Sequence, residues 1–447
     1  MPPDRDALLS AVAALSSSGT DPAGAAPDLA GALLAADALR ERAAAERPAW
    51  WDPVRGGVKL SELDLRGASL RGADLSGASL GGSDLSGAKA HAVNLHGAHL
   101  EQARFEGADL AGADLADARA GEAGFDEAML EDATLARAGL RYASLRRAVL
   151  DGADLDGADL WGAQLDGAEA QRATLRGARL DEASLAGTDL SGADLANASL
   201  KRANLTGVVL RNANLRGADL DGANLDGADL AGARLPLVSL RGCGLRHVRL
   251  AGAWLERTQM QLGQLGGAIG EEVAGELDAA REGYVVLEQN FRSLGDADAE
   301  SWAFRRRRRM GKRAARRRAV AQWREGRWRG AAEYGLIWLT DSFVEWLCDY
   351  GESLPRVARA FVTVLLFYAV LYGLTGSLVA KDAPLSPVRY VVELLAYSLG
   401  SMTTVGAGDV GLRQANDLVG LLVATQSIVG PILLGLFGFV LGNRLRR

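Results

Sequence analysis

Every fifth residue between Leu65 and Leu265 is apolar, and the pattern keeps its phase over this whole length. The residue is usually Leu, and the residue two positions earlier is often Ala. Neither an α-helix nor a β-strand explains a period of five. In a helix the Leu side chains would turn by ~140° per step, and in a strand they would alternate between faces. The pattern therefore predicts a chain that turns a corner once in every five residues.

Four such units would close a square coil, with Leu and Ala inside and Gly and polar residues at the corners. Coils that stack through backbone hydrogen bonds at ~4.8 Å each would give, for about ten coils, a rod of roughly 48 Å. This segment resembles the pentapeptide-repeat family, which implies a right-handed quadrilateral parallel β-helix. We assign the rod to residues 56–267, where Gly266 and Gly267 mark its end.

The segment before the rod, residues 1–55, is Ala-rich and contains two short amphipathic stretches at 11–15 and 29–39. We interpret it as a helical N-terminal cap over the open end of the rod, because exposed end coils invite aggregation. It has no basic stretch followed by an apolar core. A cleavable signal peptide is therefore not predicted.

Residues 268–352 are predicted to form a helical, basic linker, beginning with a helix over 271–294. A cationic run follows, made of Arg305, Arg306, Arg307, Arg308, Arg309, Lys312 and Arg313. Because an apolar segment comes soon afterwards, we expect this run to contact anionic lipid on the cytoplasmic side. Nucleic-acid binding and an ordinary solvated helix face are the less favoured alternatives.

The last part of the linker has apolar residues at helical spacing, among them Leu336, Leu339 and Phe343. A separate acidic stripe is formed by Asp341, Glu345 and Asp349. The pattern fits either a helix on the membrane surface or a cytosolic helix packed on the linker. The residues at 349–352 and 355–357 resemble the segment before the first span of bacterial channels that carry pentapeptide repeats.

Two uncharged apolar runs within residues 353–447 are long enough to cross a ~30 Å hydrocarbon layer. We predict spans at about 357–380 and at 417–442. Arg356 and Arg359 lie at the start of the first span, and three arginines within 444–447 follow the second. The positive-inside rule then predicts a cell-membrane protein with both termini in the cytoplasm.

The segment between the spans begins with Ser386 and Pro387, which favour a helix start at 387. The predicted helix over 387–402 is too short to span a bilayer. Residues 403–409 follow it and read TTVGAGD. This order of short helix, TxVGxGD loop and spanning helix resembles the pore loop and inner helix of the potassium-channel family. It implies a two-span ion-channel pore domain with a re-entrant pore helix.

The resemblance also implies roles for the loop, because alternating glycines let successive carbonyls face one axis and replace the water around a cation. Its selectivity filter would take carbonyl ligands from Thr404, Val405, Gly406 and Ala407. Gly408 would allow the exit turn, and Asp409 would concentrate cations at the outer mouth. One loop cannot encircle a pore, so a homotetramer is implied.

Three features near the pore leave alternatives open. Most family members carry an aromatic residue at Ala407, so potassium selectivity over sodium depends on whether Tyr397 or Tyr390 fills that space. Gly430 and Pro431 are a possible gating hinge, a fixed kink or a packing site. Three polar residues within the second span face either a water-filled cavity or a neighbouring helix, namely Thr425, Gln426 and Ser427.

The remaining chemistry is sparse. The sequence contains no phosphate loop, no Cys/His metal spacing and no GxSxG motif, so we predict neither an enzyme nor a cofactor beyond the permeant potassium or other monovalent cation. His91, His96 and His99 are interpreted as surface residues. Cys243 and Cys348 suggest no disulfide framework.

The rod carries 29 acidic and 21 basic residues between 61 and 260, a net charge of −8. We interpret this as a solvated surface that binds an unknown protein or ligand. The leading hypothesis is a tetrameric cation channel whose cytosolic rod serves regulation or recruitment. One alternative is a membrane-tethered scaffold that does not conduct. Another is an acidic mimic that inhibits a DNA enzyme, as some repeat proteins of this family bind topoisomerases.

Overall fold

The structure is a computed structural model that describes residues 51–52, 57–58, 60–376, 378–381, 386–403, 412–414 and 418–445. Of the predicted N-terminal cap, only the last residues fall within this range. They form β1 (Trp51–Asp52), which pairs antiparallel with β2 (Gly57–Val58). The chain divides into two compact units, Met1–Ala303 and Phe304–Arg447.

The first unit contains the coil that the period of five predicts. Parallel bridges join residues exactly one coil apart, from Asp64 with Asp84 to Ser239 with Gln259. The repeat of the bridges is therefore twenty residues, or four sides of five. This confirms the stacked β-helix over the described part of the rod.

A tight turn makes each corner. The Ala68 amide donates to the Leu65 carbonyl at 3.0 Å, and Gly67 between them has φ +65°. A positive φ at the third residue alone identifies a type II turn. This φ is positive at every corner from Glu62 to Arg257. Glycine is favoured there because it has no Cβ, although many corners hold a polar residue instead.

The interior consists of stacked columns of Leu and Ala side chains that are almost fully buried. Phe105 and Phe125 replace Leu in successive coils, and their rings stack with centroids 5.1 Å apart. Where a polar residue occupies the Ala column, it finds a partner. Thr188, for example, donates its hydroxyl hydrogen to the Leu165 carbonyl at 2.7 Å. The core therefore tolerates a hydroxyl without an unsatisfied polar atom.

Short helices follow the last coil of the rod. A 3₁₀ helix covers Leu262–Leu265, and α1 (Gly270–Val273) and α2 (Leu277–Leu294) come next. The sequence pattern predicted one helix over 271–294, but the structure breaks it at Gly275, whose φ is +74°. Val273 is consequently exposed, whereas Tyr284, Leu287 and Phe291 of α2 are buried as the pattern predicts.

Two long helices continue the chain: α3 (Ala297–Arg324) and α4 (Trp328–Cys348). Asp349, Tyr350 and Gly351 all have positive φ values and form a sharp corner after α4. The chain then enters α5 (Leu354–Leu374), which carries Pro355 in its first turn. Pro suits this position because the first amides of a helix have no intrahelical acceptor.

The remaining elements are β3 (Leu378–Ala380), α6 (Pro387–Met402), β4 (Leu412–Gln414) and α7 (Leu418–Leu445). Helices α5, α6 and α7 pack on one another. One shared core includes Tyr372, Leu394 and Val419, and another joins Ala360, Met402 and Leu433. Strands β3 and β4 pair antiparallel, with Leu378 opposite Gln414.

Two helices are long and apolar enough to cross a membrane, over Leu354–Leu374 and Val419–Gly442. The first helix ends earlier than the predicted 380, because Gly376 has φ +60° and residues 378–380 pair as β3. The second and the bounds of α6 agree closely with the sequence-based ranges.

Candidate functional site

The TTVGAGD segment is the strongest motif in the chain, but Thr404 to Asp409 lie outside the described residues. The structure does describe what comes directly before this loop and what packs around that point. The site is therefore built from the end of α6, the adjoining faces of α5 and α7, and the helices that precede the first apolar helix.

Helix α6 begins where the sequence predicts it. The Ser386 hydroxyl accepts a hydrogen bond from the Arg389 amide at 3.4 Å, and Pro387 occupies the first helical position. This cap satisfies one of the amides that a helix start leaves unpaired. One face of α6 is buried, including Leu394, Tyr397 and Met402. The helix thereby holds a fixed position up to Met402, the residue before the loop.

A buried polar network joins all three helices. Gln426 of α7 is fully buried, and its amide nitrogen donates to the Ser398 carbonyl at 2.9 Å and to the Ser398 hydroxyl at 2.6 Å. Its amide oxygen accepts from the Tyr372 hydroxyl at 2.9 Å. Ser398 in turn donates to the Leu365 carbonyl at 2.9 Å. Of the two interpretations left open for Gln426, the structure supports hydrogen bonding to neighbouring helices.

The other polar residues of α7 make local or lateral bonds. Thr425 accepts a hydrogen bond from the Tyr368 hydroxyl at 3.0 Å and donates to its own helix. Ser427 donates to the Ala424 carbonyl at 3.0 Å. Hydroxyls that bond the preceding turn can lie in an apolar surrounding at little cost. Neither residue therefore requires a water-filled cavity.

Both tyrosines proposed to fill the space beside Ala407 have partners in the structure. Tyr397 packs edge-on against Tyr372, with ring centroids 5.4 Å apart. Tyr390 donates its hydroxyl hydrogen to the Leu378 carbonyl at 3.0 Å. Ala407 itself lies outside the described residues, so the role of these rings in ion selectivity stays a prediction.

Gly430 lies at the closest approach of α7 to the end of α6. A Cβ atom built on Gly430 would overlap the Met402 carbonyl oxygen and come within 2.9 Å of the Met402 side chain. Helix α7 continues through Pro431 without interruption. The contact supports the packing interpretation of the Gly430 and Pro431 pair. The hinge stays a prediction.

The basic run and the acidic stripe of the linker face each other within the second unit. Arg308 contacts Asp341 at 2.6 Å, Arg309 contacts Glu345 at 2.9 Å, and Lys312 also pairs with Glu345. These ion pairs hold α3 against α4. The sequence showed both charged stripes, but it could not show that they pair.

The ion pairs continue to the start of α5. Arg356 contacts Asp349 at 3.3 Å and donates to the Glu345 carbonyl at 2.7 Å. Burial by itself would raise the pKa of Glu345, but the bonds from Lys312 and Arg309 outweigh it and lower the pKa. Glu345 is therefore ionised at neutral pH. The predicted contact of the basic run with lipid stays a prediction. Within the run, Arg308, Arg309 and Lys312 already have carboxylate partners.

The His and Cys residues of the chain were the other candidates for a functional site. Among the described residues, no group of His, Cys, Asp and Glu has a metal-binding arrangement. His96 lies 3.8 Å from Asp114, and His99 lies 3.5 Å from Glu101. Cys243 and Cys348 are both buried and free, and burial raises the pKa of Cys243 to about 11. A thiol with such a pKa is a weak nucleophile at neutral pH.

Two polar side chains that the sequence pattern did not indicate close the end of the rod. Glu271 accepts hydrogen bonds from the Leu250 and Ala251 amides at 2.6 and 2.7 Å. Asn290 accepts from the Thr258 amide and donates to the Thr258 carbonyl. Glu271 thus replaces the carbonyl that a further coil would offer to the Leu250 amide, and Asn290 replaces the amide that it would offer to the Thr258 carbonyl. A signal existed in the apolar face of α2, but polar side chains directed at an open coil have no sequence signature.

The sequence of the rod matches a family model of repeats directly. The sequence model described as "Pentapeptide repeats" fits residues 56–89, 91–125, 133–169, 162–195, 169–207, 188–227 and 223–261. Together with the stacked coils, this match shows that the rod consists of pentapeptide repeats. Its rod is followed by a helical region with two apolar helices. No curated protein matches the chain.

Several solved structures are similar to this chain. HetL, a pentapeptide-repeat protein of Nostoc sp. strain PCC 7120 involved in heterocyst differentiation regulation, is 36% identical over 40% of this chain and 86% of its own, with a TM-score of 0.20. QnrB1, a plasmid-mediated fluoroquinolone resistance protein, is 21% identical over 44% and 95%, with a TM-score of 0.27. Rfr23 of Cyanothece 51142 is 39% identical over 22% and 63%, with a TM-score of 0.17.

Proposed function

We propose that this chain is one subunit of a tetrameric cation channel of the two-span type, most suited to potassium. The pentapeptide-repeat rod would act in regulation or partner binding. The observation that carries the proposal is the position of α6. A helix too short to cross a bilayer is fixed between two apolar helices, and it ends at Met402, directly before the loop TTVGAGD.

The packing around α6 supports a pore role. An irregular loop at membrane depth is tolerated only when it is buried in protein or lines water. The Gln426 network and the Gly430 contact fix the end of α6, so the loop would start from a rigid base. The negative end of the helix dipole would also favour a cation beyond Thr403. Four such loops around an axis would form the filter of Thr404, Val405, Gly406 and Ala407.

Apolar residues on α5 and α7 support the membrane location and the tetramer. A single subunit leaves many large apolar side chains exposed on these two helices, among them Leu366, Phe367, Val370, Leu421, Ile428 and Phe439. An apolar surface of this extent is suited to lipid and to neighbouring subunits. In this arrangement, basic residues in the first turns of α5 and at the C-terminal end of α7 would place both termini in the cytoplasm.

Helix α4 would lie along the cytoplasmic membrane surface. Its carboxylates pair with α3, whereas Leu336, Leu339 and Phe343 are exposed. The two faces of α4 thus separate charge from apolar area, as an interfacial helix requires. Between the two interpretations that the sequence left open for this segment, the exposed apolar face favours the membrane surface.

Ion flux through the purified chain in liposomes tests the proposal. We expect a potassium gradient to drive flux in the wild-type chain and Gly406→Ala to abolish it, because a Cβ would obstruct the carbonyl ring. Gly435→Ala is the matched control, since a Cβ at Gly435 meets no atom of its own chain within 4 Å. Comparing potassium with sodium gradients then measures what Ala407 does to selectivity.

The same preparation separates the channel from the scaffold alternative. Chemical cross-linking in the liposomes should trap species up to four chains. No flux under either gradient, together with an assembly other than a tetramer, would contradict the channel and favour a membrane-tethered scaffold that does not conduct.

A further inference from the structure

The rod has a groove on one face near its C-terminal end. It encloses about 530 Å³ and is lined by residues of four successive coils. Asn214, Arg234 and Trp254 form one side, where parallel bridges stack them in register. Leu237 projects from the adjoining corner. The volume is in the range of about 300 to 1,000 Å³ that small-molecule sites usually have.

A backbone amide without a partner among the described residues lies in this groove. The corner residues beside it are Asn197, Gly217 and Leu237, and the side-chain oxygen of Asn197 lies 2.5 Å from where a Cβ of Gly217 would be. The amides of Asn197 and Leu237 each donate to a carbonyl of the next coil at 2.9 Å. Within the part of the chain that the structure describes, the Gly217 amide has no such bond. A backbone donor is therefore available in the groove.

Two arginines add positive charge to the same groove. Arg216 and Arg234 both line it, and neither guanidinium has an ion-pair partner among the described residues. Asp194, on the same face of the rod, is already engaged by Arg176 at 2.6 Å and by Asn214 at 2.9 Å. Two unpaired guanidiniums therefore lie close to an amide that makes no bond to the next coil.

The apolar part of the groove is exposed to solvent. Trp254 is 50% exposed and Leu237 is 72% exposed. The indole nitrogen of Trp254 donates to Glu256 at 3.3 Å, which restrains the ring. A restrained and half-exposed indole offers a flat surface on which an aromatic ring can stack. A carboxylate at Glu256 also disfavours an anion at that end of the groove, so the anion belongs at the arginines.

We propose that this groove binds a small phosphorylated ligand with a flat ring, of the nucleotide class. The phosphate would accept hydrogen bonds from Arg216, Arg234 and the Gly217 amide, since guanidiniums suit phosphate oxygens in geometry and charge. The base would stack on Trp254 beside Leu237. Two guanidiniums and an amide suit a phosphate dianion better than the single charge of a carboxylate. The site is independent of the pore, so its test does not depend on conduction.

Isothermal titration calorimetry on the full-length chain in detergent tests the site, with AMP, GMP, CMP and UMP as probes. We expect at least one nucleotide to bind once per chain, about tenfold more tightly than ribose 5-phosphate, because stacking of a base contributes about that factor. Inorganic phosphate should bind more weakly still. If no nucleotide produced saturable heat up to about 1 mM, or if inorganic phosphate bound equally well, the proposal would be overturned.

Variants locate the binding in the groove. Arg216→Gln and Arg234→Gln should each weaken nucleotide binding by about tenfold, as expected for loss of a charged hydrogen bond. Trp254→Ala should weaken nucleotide binding but leave phosphate binding unchanged, and Trp254→Phe should restore most of the loss. Arg241→Gln is the matched control, because Arg241 is an exposed arginine of the same rod outside the groove. Unchanged binding in the double arginine variant would rule the site out.

Discussion

Glu271 shows at the scale of one residue how the rod ends. One carboxylate oxygen accepts two backbone hydrogen bonds, from Leu250 and Ala251. The other oxygen is buried and has no partner among the described residues. Burial raises the pKa of Glu271 above its usual 4.5, and the bonds from the two amides only partly oppose this. The residue therefore closes the coil at an electrostatic cost.

The first prediction concerns the pH dependence of this contribution. Because the pKa is higher in the folded state, the stability from Glu271 is complete below pH 4.5 and declines as pH rises through the raised pKa. Glu271→Gln keeps an acceptor without the charge, so it should remove this decline and stabilise the rod at pH 8. Glu271→Ala should lower the free energy of unfolding by about 1 to 3 kcal/mol at both pH values.

Urea unfolding followed by circular dichroism at pH 5 and pH 8 checks this prediction. Glu282→Gln, on the exposed side of α2, is the matched control and should change little at either pH. A wild-type rod that became more stable between pH 5 and pH 8, by an amount that Glu271→Gln abolished, would reverse the assigned sign.

A second prediction compares two glycines in one helix. Ala is favoured over Gly by about 1 kcal/mol inside a helix, so Gly435→Ala should be neutral or stabilising. At Gly430 the added Cβ would overlap the Met402 carbonyl, which is backbone and cannot move away cheaply. Gly430→Ala should therefore lower the melting temperature of the detergent-solubilised chain and reduce flux. Equal melting temperatures for the two variants would mean that the close approach is not required.

For many single residues, the sequence could predict that they have a special role but not which role it is. The sequence identified Gln426 as polar within a span and Gly430 as special, but it left their roles open. The structure assigns both roles through contacts with Ser398 and Met402, residues more than 25 positions away. Such contacts depend on how the helices pack, and no local pattern encodes that packing. Glu271 was missed for the same reason.

At the scale of elements, ion pairs join α3 to α4. Lys312 and Glu345 are both mostly buried, and Arg309 contacts the same carboxylate at 2.9 Å. A partly buried pair with a second cation contributes more than an exposed surface pair, whose usual value is below about 1 kcal/mol. The apolar face of α4 is left for other contacts. This division explains why a helix so rich in arginine folds back against the next helix.

A double-mutant cycle tests this pairing. Lys312→Gln and Glu345→Gln should each weaken the contact of α3 with α4, and the double variant should lose less than the sum, with a coupling of about 1 kcal/mol. Glu333→Gln, exposed on α4, is the control. Because the pKa of Glu345 is lowered in the folded state, its contribution is present above pH 4.5 and is lost as pH falls through the lowered value.

Hydrogen exchange of α3 and α4, measured by mass spectrometry, is the readout for the cycle. The single variants should exchange faster in both helices than the wild type does. Strictly additive effects of the two substitutions would show that Lys312 and Glu345 do not act as a pair.

Elements were more predictable from sequence than contacts were. The period of five predicted the coil, its corners and its core, because each position of the five-residue unit has the same environment in every coil. The start of α6 was predicted from its cap, Ser386 and Pro387. The first apolar helix ended earlier than predicted because composition alone cannot tell a helix from β3, whose residues 378–380 are also apolar.

At the scale of the whole molecule, the rod and the helical unit are two compact units, and their stability arises in different ways. Each coil of the rod contacts only its neighbours, so stability is a sum of local terms and of the terms at its ends. Asn290 supplies such an end term. Its side chain forms two hydrogen bonds, of 3.0 and 2.9 Å, with the backbone of Thr258 in the last coil.

Asn290→Leu should therefore open the rod from one end. The variant keeps the side-chain volume but leaves the Thr258 carbonyl buried without its partner, at a cost of about 1 to 3 kcal/mol. The Thr258 amide keeps its bond to the Leu255 carbonyl at 2.7 Å. Hydrogen exchange should rise most in residues 235–260 and fade along the coils toward residue 60. Helices α5 to α7, in the other unit, should exchange as they do in the wild type.

Gln289→Leu is the control, because Gln289 is the exposed neighbour of Asn290 on α2. An equal rise in every coil would show that the rod unfolds as one cooperative body, and a rise in α5 to α7 would show that the two units are coupled.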